Sequence, residues 1–147
     1  MALASDLFKT KKNNSVFTVS PENTVQVAVK EMSKNNVGAL LVENAEGKVV
    51  GIITERDVLL KLAAKDLPAD STLVSEIMTE KVLYVEATQP LEECMEIMNS
   101  KGFRHLPVFE KGKLLGLISV KDVLRQVIAE QKTMIKHLEN YISGLEV

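Results

Sequence analysis

The sequence predicts a mixed α/β (α+β) fold: two tandem β-α-β-β-α units packed as a pseudo-two-fold pair, with an extended C-terminal helix. Three observations predict it. Val25, Ala28, Met32, Leu40 and Val42 recur as Leu91, Cys94, Met98, Leu106 and Val108, each 66 positions further on. Inside each copy the apolar pattern changes, from a helical stripe to a continuous run of strand length. After Asp122 a helical stripe continues unbroken to Gly144.

Val16 to Val19 and Val82 to Val85 are short apolar-rich runs that predict the first strand of each copy. Ser20-Pro21-Glu22-Asn23-Thr24 and Ala87-Thr88-Gln89-Pro90 mark helix starts, where proline gives up an N–H that would lack a helical partner anyway. Val25, Ala28, Val29 and Met32 follow i, i+3, i+4, i+7, as do Leu91, Cys94, Met95 and Met98. Each set is one face of an amphipathic helix. Ala39 to Val42 and Leu106 to Phe109 predict buried strands. Asn44-Ala45-Glu46-Gly47 and Glu110-Lys111-Gly112 turn them back into second strands ending at Thr54 and Ser119. Gly112 follows Gly47 by 65 positions, so one residue is lost in a turn, where no side-chain face is disturbed.

Lys65 to Thr72, with Pro68, reads as a linker, and Ser75-Glu76-Ile77-Met78 as one helical turn leading into the second copy. The copies span 10–70 and 74–130, and the last helix runs from about Lys121 to Ser143. Val123, Leu124, Val127, Ile128, Gln131, Met134, Ile135, Leu138 and Ile142 form its stripe. That stripe outruns what one copy needs. It folds back over Leu3 to Phe8, packs on a second subunit, or does both, because left in water it would be a large apolar patch. A unit of roughly 55 residues cannot bury both faces of a small sheet alone, so the two copies are expected to pack sheet against sheet.

Composition excludes several classes of function. The 147 residues are 46% hydrophobic and 26% charged, an ordinary globular balance. A net charge of −2 gives no basic field for DNA, and 4% aromatics with no tryptophan leave few stacking platforms for single strands. One cysteine and two histidines build neither a disulfide nor a convincing metal site. No apolar run approaches the ~20 residues of a membrane span, and the start lacks a secretory pattern. The expectation is a reducing, cytoplasmic setting with no membrane and no DNA.

Two motif sets carry a family resemblance. Gly51-Ile52-Ile53-Thr54-Glu55-Arg56-Asp57 matches Gly116-Leu117-Ile118-Ser119-Val120-Lys121-Asp122. With them go Gly102-Phe103-Arg104-His105-Leu106-Pro107-Val108 and Ser75-Glu76-Ile77-Met78-Thr79. Over about residues 10 to 135 the chain resembles the CBS domain family, in which two CBS motifs form a Bateman module. The ending Ile128-Ala129-Glu130-Gln131, with Leu138-Glu139-Asn140-Tyr141-Ile142, is similar to stand-alone CBS pairs of bacteria and plant organelles. The resemblance implies adenine nucleosides and nucleotides (AMP, ADP, ATP, S-adenosylmethionine or NAD) bound in clefts between the repeats. The ligand would be regulatory rather than a catalytic cofactor. The resemblance also implies a sensor rather than an enzyme, often a disc-like homodimer. With no other domain attached, a regulated enzyme would be contacted in trans.

The motif residues suit that role. A helix N-terminus offers free N–H groups to phosphate, and an aspartate accepts two hydrogen bonds from vicinal ribose hydroxyls. The resemblance assigns Asp57 to ribose and Thr54 and Arg56 to ribose or phosphate; Ser119, Lys121 and Asp122 carry over to the second site. The same Thr/Ser-x-x-Asp spacing is also a capping box, common in proteins that bind nothing, although Asp reaches less far than the usual Glu. Arg104 and His105 are either solvated strand-end residues or cleft residues that reach phosphate. Gly38 and Ala39 replace them in the first copy, making one cleft basic and the other small and neutral. The resemblance pairs Asp57 and Arg56 with Arg104 and His105, and Asp122 and Lys121 with Val37, Gly38 and Ala39. Thr18 and Val82 would close the walls, and Phe103 and Ile118 complete the nucleotide-binding set.

The remaining candidates have plainer readings. Cys94 stands in the register of Ala28 as a small buried residue, and the six methionines fall mostly on apolar stripes. His137 is surface, and Lys9, Lys11 and Lys12 are solvated or approach a phosphate. His105 near Asp57 could be drawn as a base and its orienter, yet no nucleophile accompanies them. The leading expectation is a nucleotide-binding regulatory module; the alternative is a structural or interaction module whose clefts have lost their ligand.

Overall fold

The computed structural model describes residues 2–10 and 17–144. In chain order its main elements are α1 (Leu7–Thr10), β1 (Thr18–Val19), α2 (Val25–Asn35), β2 (Ala39–Glu43) and β3 (Val49–Thr54). They continue with α3 (Glu55–Asp57), α4 (Val74–Ile77), β4 (Val85–Glu86), α5 (Leu91–Lys101), β5 (His105–Glu110), β6 (Lys113–Ser119) and α6 (Val120–Ile142). The architecture is mixed α+β. The chain divides into two compact units, Ser15–Leu83 and Met1–Asn14 with Tyr84–Val147.

The first copy forms a three-stranded sheet in the order β1-β2-β3, with β1 parallel to β2 and β3 antiparallel to it. Thr24 caps α2 by accepting from the Val27 N–H, and Asn36 ends it in the left-handed region at φ 53°. Val25, Ala28 and Met32 of α2 are buried, with Leu40, Val42 and Ile53 of the sheet in the same cluster. Val29, predicted on the buried stripe, is instead exposed. After α3 the helix widens to a π turn over Val58–Leu62 and closes with a 3-10 turn at Ala63–Lys65.

The segment expected to lead into the second copy closes over the first instead. Val74 and Ile77 of α4 are buried in the first copy's core. Beyond them, Thr79 pairs with Ile52 through reciprocal backbone bonds of 3.0 and 2.8 Å. Gly51 sits beneath this crossing. A Cβ there would lie 2.7 Å from Met78 Sδ and 2.9 Å from the Thr79 carbonyl oxygen, so no larger residue fits without movement.

The second copy repeats the sheet as β4-β5-β6 with the same parallel and antiparallel pairings. Its first strand forms at Val85–Glu86, not over Val82 to Val85. Gly102, at φ 72°, ends α5 where Asn36 ended α2. The N-terminal residues belong to this unit. The Ala4 N–H donates to the Gln89 carbonyl (2.8 Å), and the Leu91 N–H to the Ala2 carbonyl (3.0 Å). Ala4, Leu7 and Phe8 are buried with Val85, Leu91, Leu106, Ile118 and Val123. The segment thus covers a core rather than the end of α6. The start of the α6 stripe, Val123 and Val127, shares the core with Leu7 and Phe8, but its end does not fold back over that segment: Met134, Ile135, Leu138 and Ile142 remain 55–82% exposed.

Candidate functional site

Both strand-to-helix junctions are built alike, because the same few atoms satisfy the same orphan helix donors. Thr54 is extended (φ −120°, ψ 164°), and its Oγ1 accepts the Asp57 N–H at 3.1 Å. Asp57 Oδ2 reaches back to accept the Thr54 N–H (3.0 Å) and the Thr54 hydroxyl (3.2 Å). In the second copy, Ser119 Oγ accepts the Asp122 N–H at 3.2 Å and Asp122 Oδ2 accepts the Ser119 N–H at 2.9 Å. The capping box therefore forms twice. The shorter aspartate suffices because its carboxylate needs to span only one helical turn.

The neighbouring strand brings the other motif residues to each junction. Ala39 pairs with Thr54, and the Glu55 N–H donates to the Gly38 carbonyl at 3.0 Å. His105 pairs with Ser119, and the Val120 N–H donates to the Arg104 carbonyl at 3.0 Å. One unit thus gathers Val37, Gly38, Ala39, Thr54, Arg56 and Asp57; the other gathers Phe103, Arg104, His105, Ser119, Lys121 and Asp122. Arg56, Arg104 and Lys121 are exposed. Thr18 stands exposed opposite Leu41, two residues along β2 from Ala39. Val82 is half-buried and lies on no strand. Ile118 is fully buried in the core, so it supports Ser119 from beneath rather than lining a surface.

Asp57 has partners that the sequence reading missed. Its Oδ1 lies 2.9 Å from Lys61 Nζ and accepts the Thr79 hydroxyl at 3.2 Å. Lys61 also donates to the Ile77 carbonyl at 3.2 Å. With only 7% of its surface exposed, Asp57 ties the end of β3, the first turn of α3 and the segment after α4 into one knot. Lys61, four residues beyond Asp57, was visible as a helical ion pair. Thr79 is 22 positions away and had no local signal. The Glu55 carboxylate lies over Gly38, so the first junction carries an acidic group where a small neutral surface was expected. Gln126 takes the place of Lys61 in the second copy, and Val120 that of Glu55.

Cys94 is fully buried, and burial first, then the Glu93 charge, pushes its thiol above the usual range. That fits the packing role rather than a nucleophile. Among the described residues no group of three or more His, Cys, Asp or Glu is placed to hold a metal ion. None of the described helices is long and apolar enough to cross a membrane.

Two α+β repeats, each ending its hairpin in the same capped carboxylate, define a tandem-repeat module rather than a single-site domain. The chain belongs to the CBS domain family: the family model matches residues 5–64 and again 74–129. It is 35% identical over 147 residues to the mitochondrial CBS domain-containing protein CBSX3 of Arabidopsis thaliana, covering 95% of this chain and 71% of that protein. A solved CBS-domain protein from Burkholderia ambifaria MC40-6 superposes with a TM-score of 0.84 at 40% identity, covering 88% of this chain and 96% of that one. A hexameric CBS-CP12 protein from bloom-forming cyanobacteria superposes at 0.75 with 31% identity, covering 84% and 66% respectively. The chain is thus a CBS pair, a regulatory module of a kind that generally binds adenine nucleotides.

Proposed function

We propose that this CBS pair is a non-catalytic cytoplasmic sensor of an adenine nucleotide (AMP, ADP, ATP or NAD) that acts on a partner protein in trans. The observation that carries the reading is the capped aspartate repeated at both junctions, Asp57 after β3 and Asp122 after β6. On this reading each carboxylate receives ribose hydroxyls. Arg56, Lys121, Arg104 and His105 supply donors to phosphate, and Val37 to Ala39, with Phe103, Thr18 and Val82, contact the base. Ile118 acts from within the core. The ligand is regulatory, and the protein works as a homodimer, a reading supported by the exposed face of α6 and by the hexameric state of the CBS-CP12 relative.

Titrating AMP, ATP and NAD into the wild type and into Asp57→Ala and Asp122→Ala tests the assignment. Removing an acceptor for ribose is expected to cost about 1.5–3 kcal/mol of binding, tenfold or more. If every affinity stays within twofold in variants that keep their fold, the ribose assignment is wrong. The knot around Asp57 specifically favours a structural role for the first junction. Loss of binding in Asp122→Ala alone would assign the ligand to the second junction and leave the first as architecture.

A further inference from the structure

The helix of the first copy ends at Lys65, whose counterpart in the second copy is Glu130; Gln131 to Ile142 are additional. Val123 and Val127 turn one face of α6 into its own core. A second apolar line runs along the outer side through Leu124, Ile128, Gln131, Ile135, Leu138 and Ile142. Its spacing alternates four and three, a heptad with isoleucine at each a position from 128 on and leucine, glutamine, leucine at d. The five apolar members are 44–82% exposed. Leu124 and Ile128 lie in a shallow groove bordered by Lys121, Arg125 and Lys132.

We infer that this seam packs against the same seam of a second copy, as a short parallel two-stranded coiled coil. Three features choose that occupant. A seam spaced four and three along a straight helix suits a second helix lying along it, and a second copy supplies one with the same seam. Isoleucine at a with leucine at d favours two parallel strands. Gln131 would strand a polar amide against an unrelated apolar surface, but in a parallel pair it meets its own copy and both amides are satisfied. In that arrangement Lys132 lies beside Val127 of the other copy and Glu139 beside Met134, so no like charges meet. The seam covers fewer than three heptads and would be marginal as an isolated coil. The packing of Val123 and Val127 on the core anchors its first half.

The inference rests on the homodimer reading, and the test separates the two. In a Cys94→Ala background, which gives the second copy the small residue of Ala28, Ile128→Cys and Ile142→Cys are made singly and oxidised gently. Thr133→Cys, on the outer side of the heptad, is the control. These residues stand 14 positions apart, about 21 Å along the helix. Only a parallel pair lets both cross-link to themselves. Each is expected to yield at least about five times the disulfide dimer of the control. Light scattering on the reduced proteins is read alongside. A dimer with no enrichment at either position, or at a central Ile135→Cys alone, overturns the coil and leaves the homodimer standing. A monomer at micromolar concentration overturns both.

Discussion

Asp57 does two jobs at the first junction. It closes a capping box with Thr54, and it binds Lys61 and the Thr79 hydroxyl. Replacing Asp57 by alanine removes the carboxylate half of the capping box, the acceptor of the Thr54 N–H, and leaves Thr79 and Lys61 without this acceptor. The expected loss is about 2–3 kcal/mol of unfolding free energy, read from urea unfolding midpoints. Lys61→Gln should cost under about 1 kcal/mol, because the Lys61 side chain is 41% exposed and its pair is screened by solvent. That change installs the residue of the second copy. It removes the charged partner of Asp57 Oδ1, which keeps only the Thr79 hydroxyl, so nucleotide affinity measured by calorimetry in an Asp122→Ala background should rise by roughly two- to tenfold, a gain of up to about 1.4 kcal/mol. A fall would mean that Lys61 itself touches the ligand. Cys94 should react slowly with thiol reagents in the folded protein and rapidly in urea, since burial both shields it and raises its pKa. Equal rates would contradict its place in the core.

The N-terminal turn was the least legible element. Ala2 to Phe8 is too short for a period to show, so its burial followed only from the backbone bonds to Ala87, Gln89 and Leu91. Phe8 lies against Gly116, where a Cβ would collide with its ring. Phe8→Ala is expected to cost about 3 kcal/mol, measured by denaturant unfolding; a loss below about 1 kcal/mol would mean that the turn is not docked. Asp6 holds the turn by accepting the Leu3 N–H at 2.8 Å, and that bond first, then Lys9, lowers its pKa. Its contribution is present above the ordinary carboxylate value and is lost as pH falls through the lowered one. The Leu3 amide should therefore lose exchange protection in acid before the core does. Elements with a clear period were legible: α2, α5, both hairpins and α6 follow from apolar spacing and glycine turns. The shift of β4 was not, because Val82, Leu83, Tyr84 and Val85 are all apolar and only pairing with Val108 and Phe109 selects the strand. Nor was the allegiance of α4, since one helical turn carries no stripe that says which core it serves. At the junctions the box residues were legible from spacing, while Thr79 needed the crossing over Ile52 to bring it to Asp57.

The oligomeric state depends on how much of the exposed apolar surface lies beyond the repeats. Ile135, Leu138 and Ile142 are 55%, 56% and 82% exposed, and burying each fully would contribute roughly 1.5–3 kcal/mol. Their combined gain of about 4.5–9 kcal/mol falls within the range of about 4–15 kcal/mol that association costs in lost freedom, and leaves little or no surplus. The tail therefore strengthens a dimer but does not make one alone. Other contacts are available on the repeats: Leu124 and its counterpart Leu59 are 44% and 61% exposed. Truncation after Glu130 removes the three tail residues and keeps both of these. The full chain is expected to be a dimer at micromolar concentration by light scattering, and the truncated chain to dissociate at least tenfold more readily, a loss of about 1.4 kcal/mol or more. An unchanged dissociation constant would place the interface wholly on the repeats, because the tail would then contribute nothing to set against its ordering cost. Complete dissociation to monomer would mean that the contacts of Leu59 and Leu124 are too weak to hold the copies together without the α6 extension.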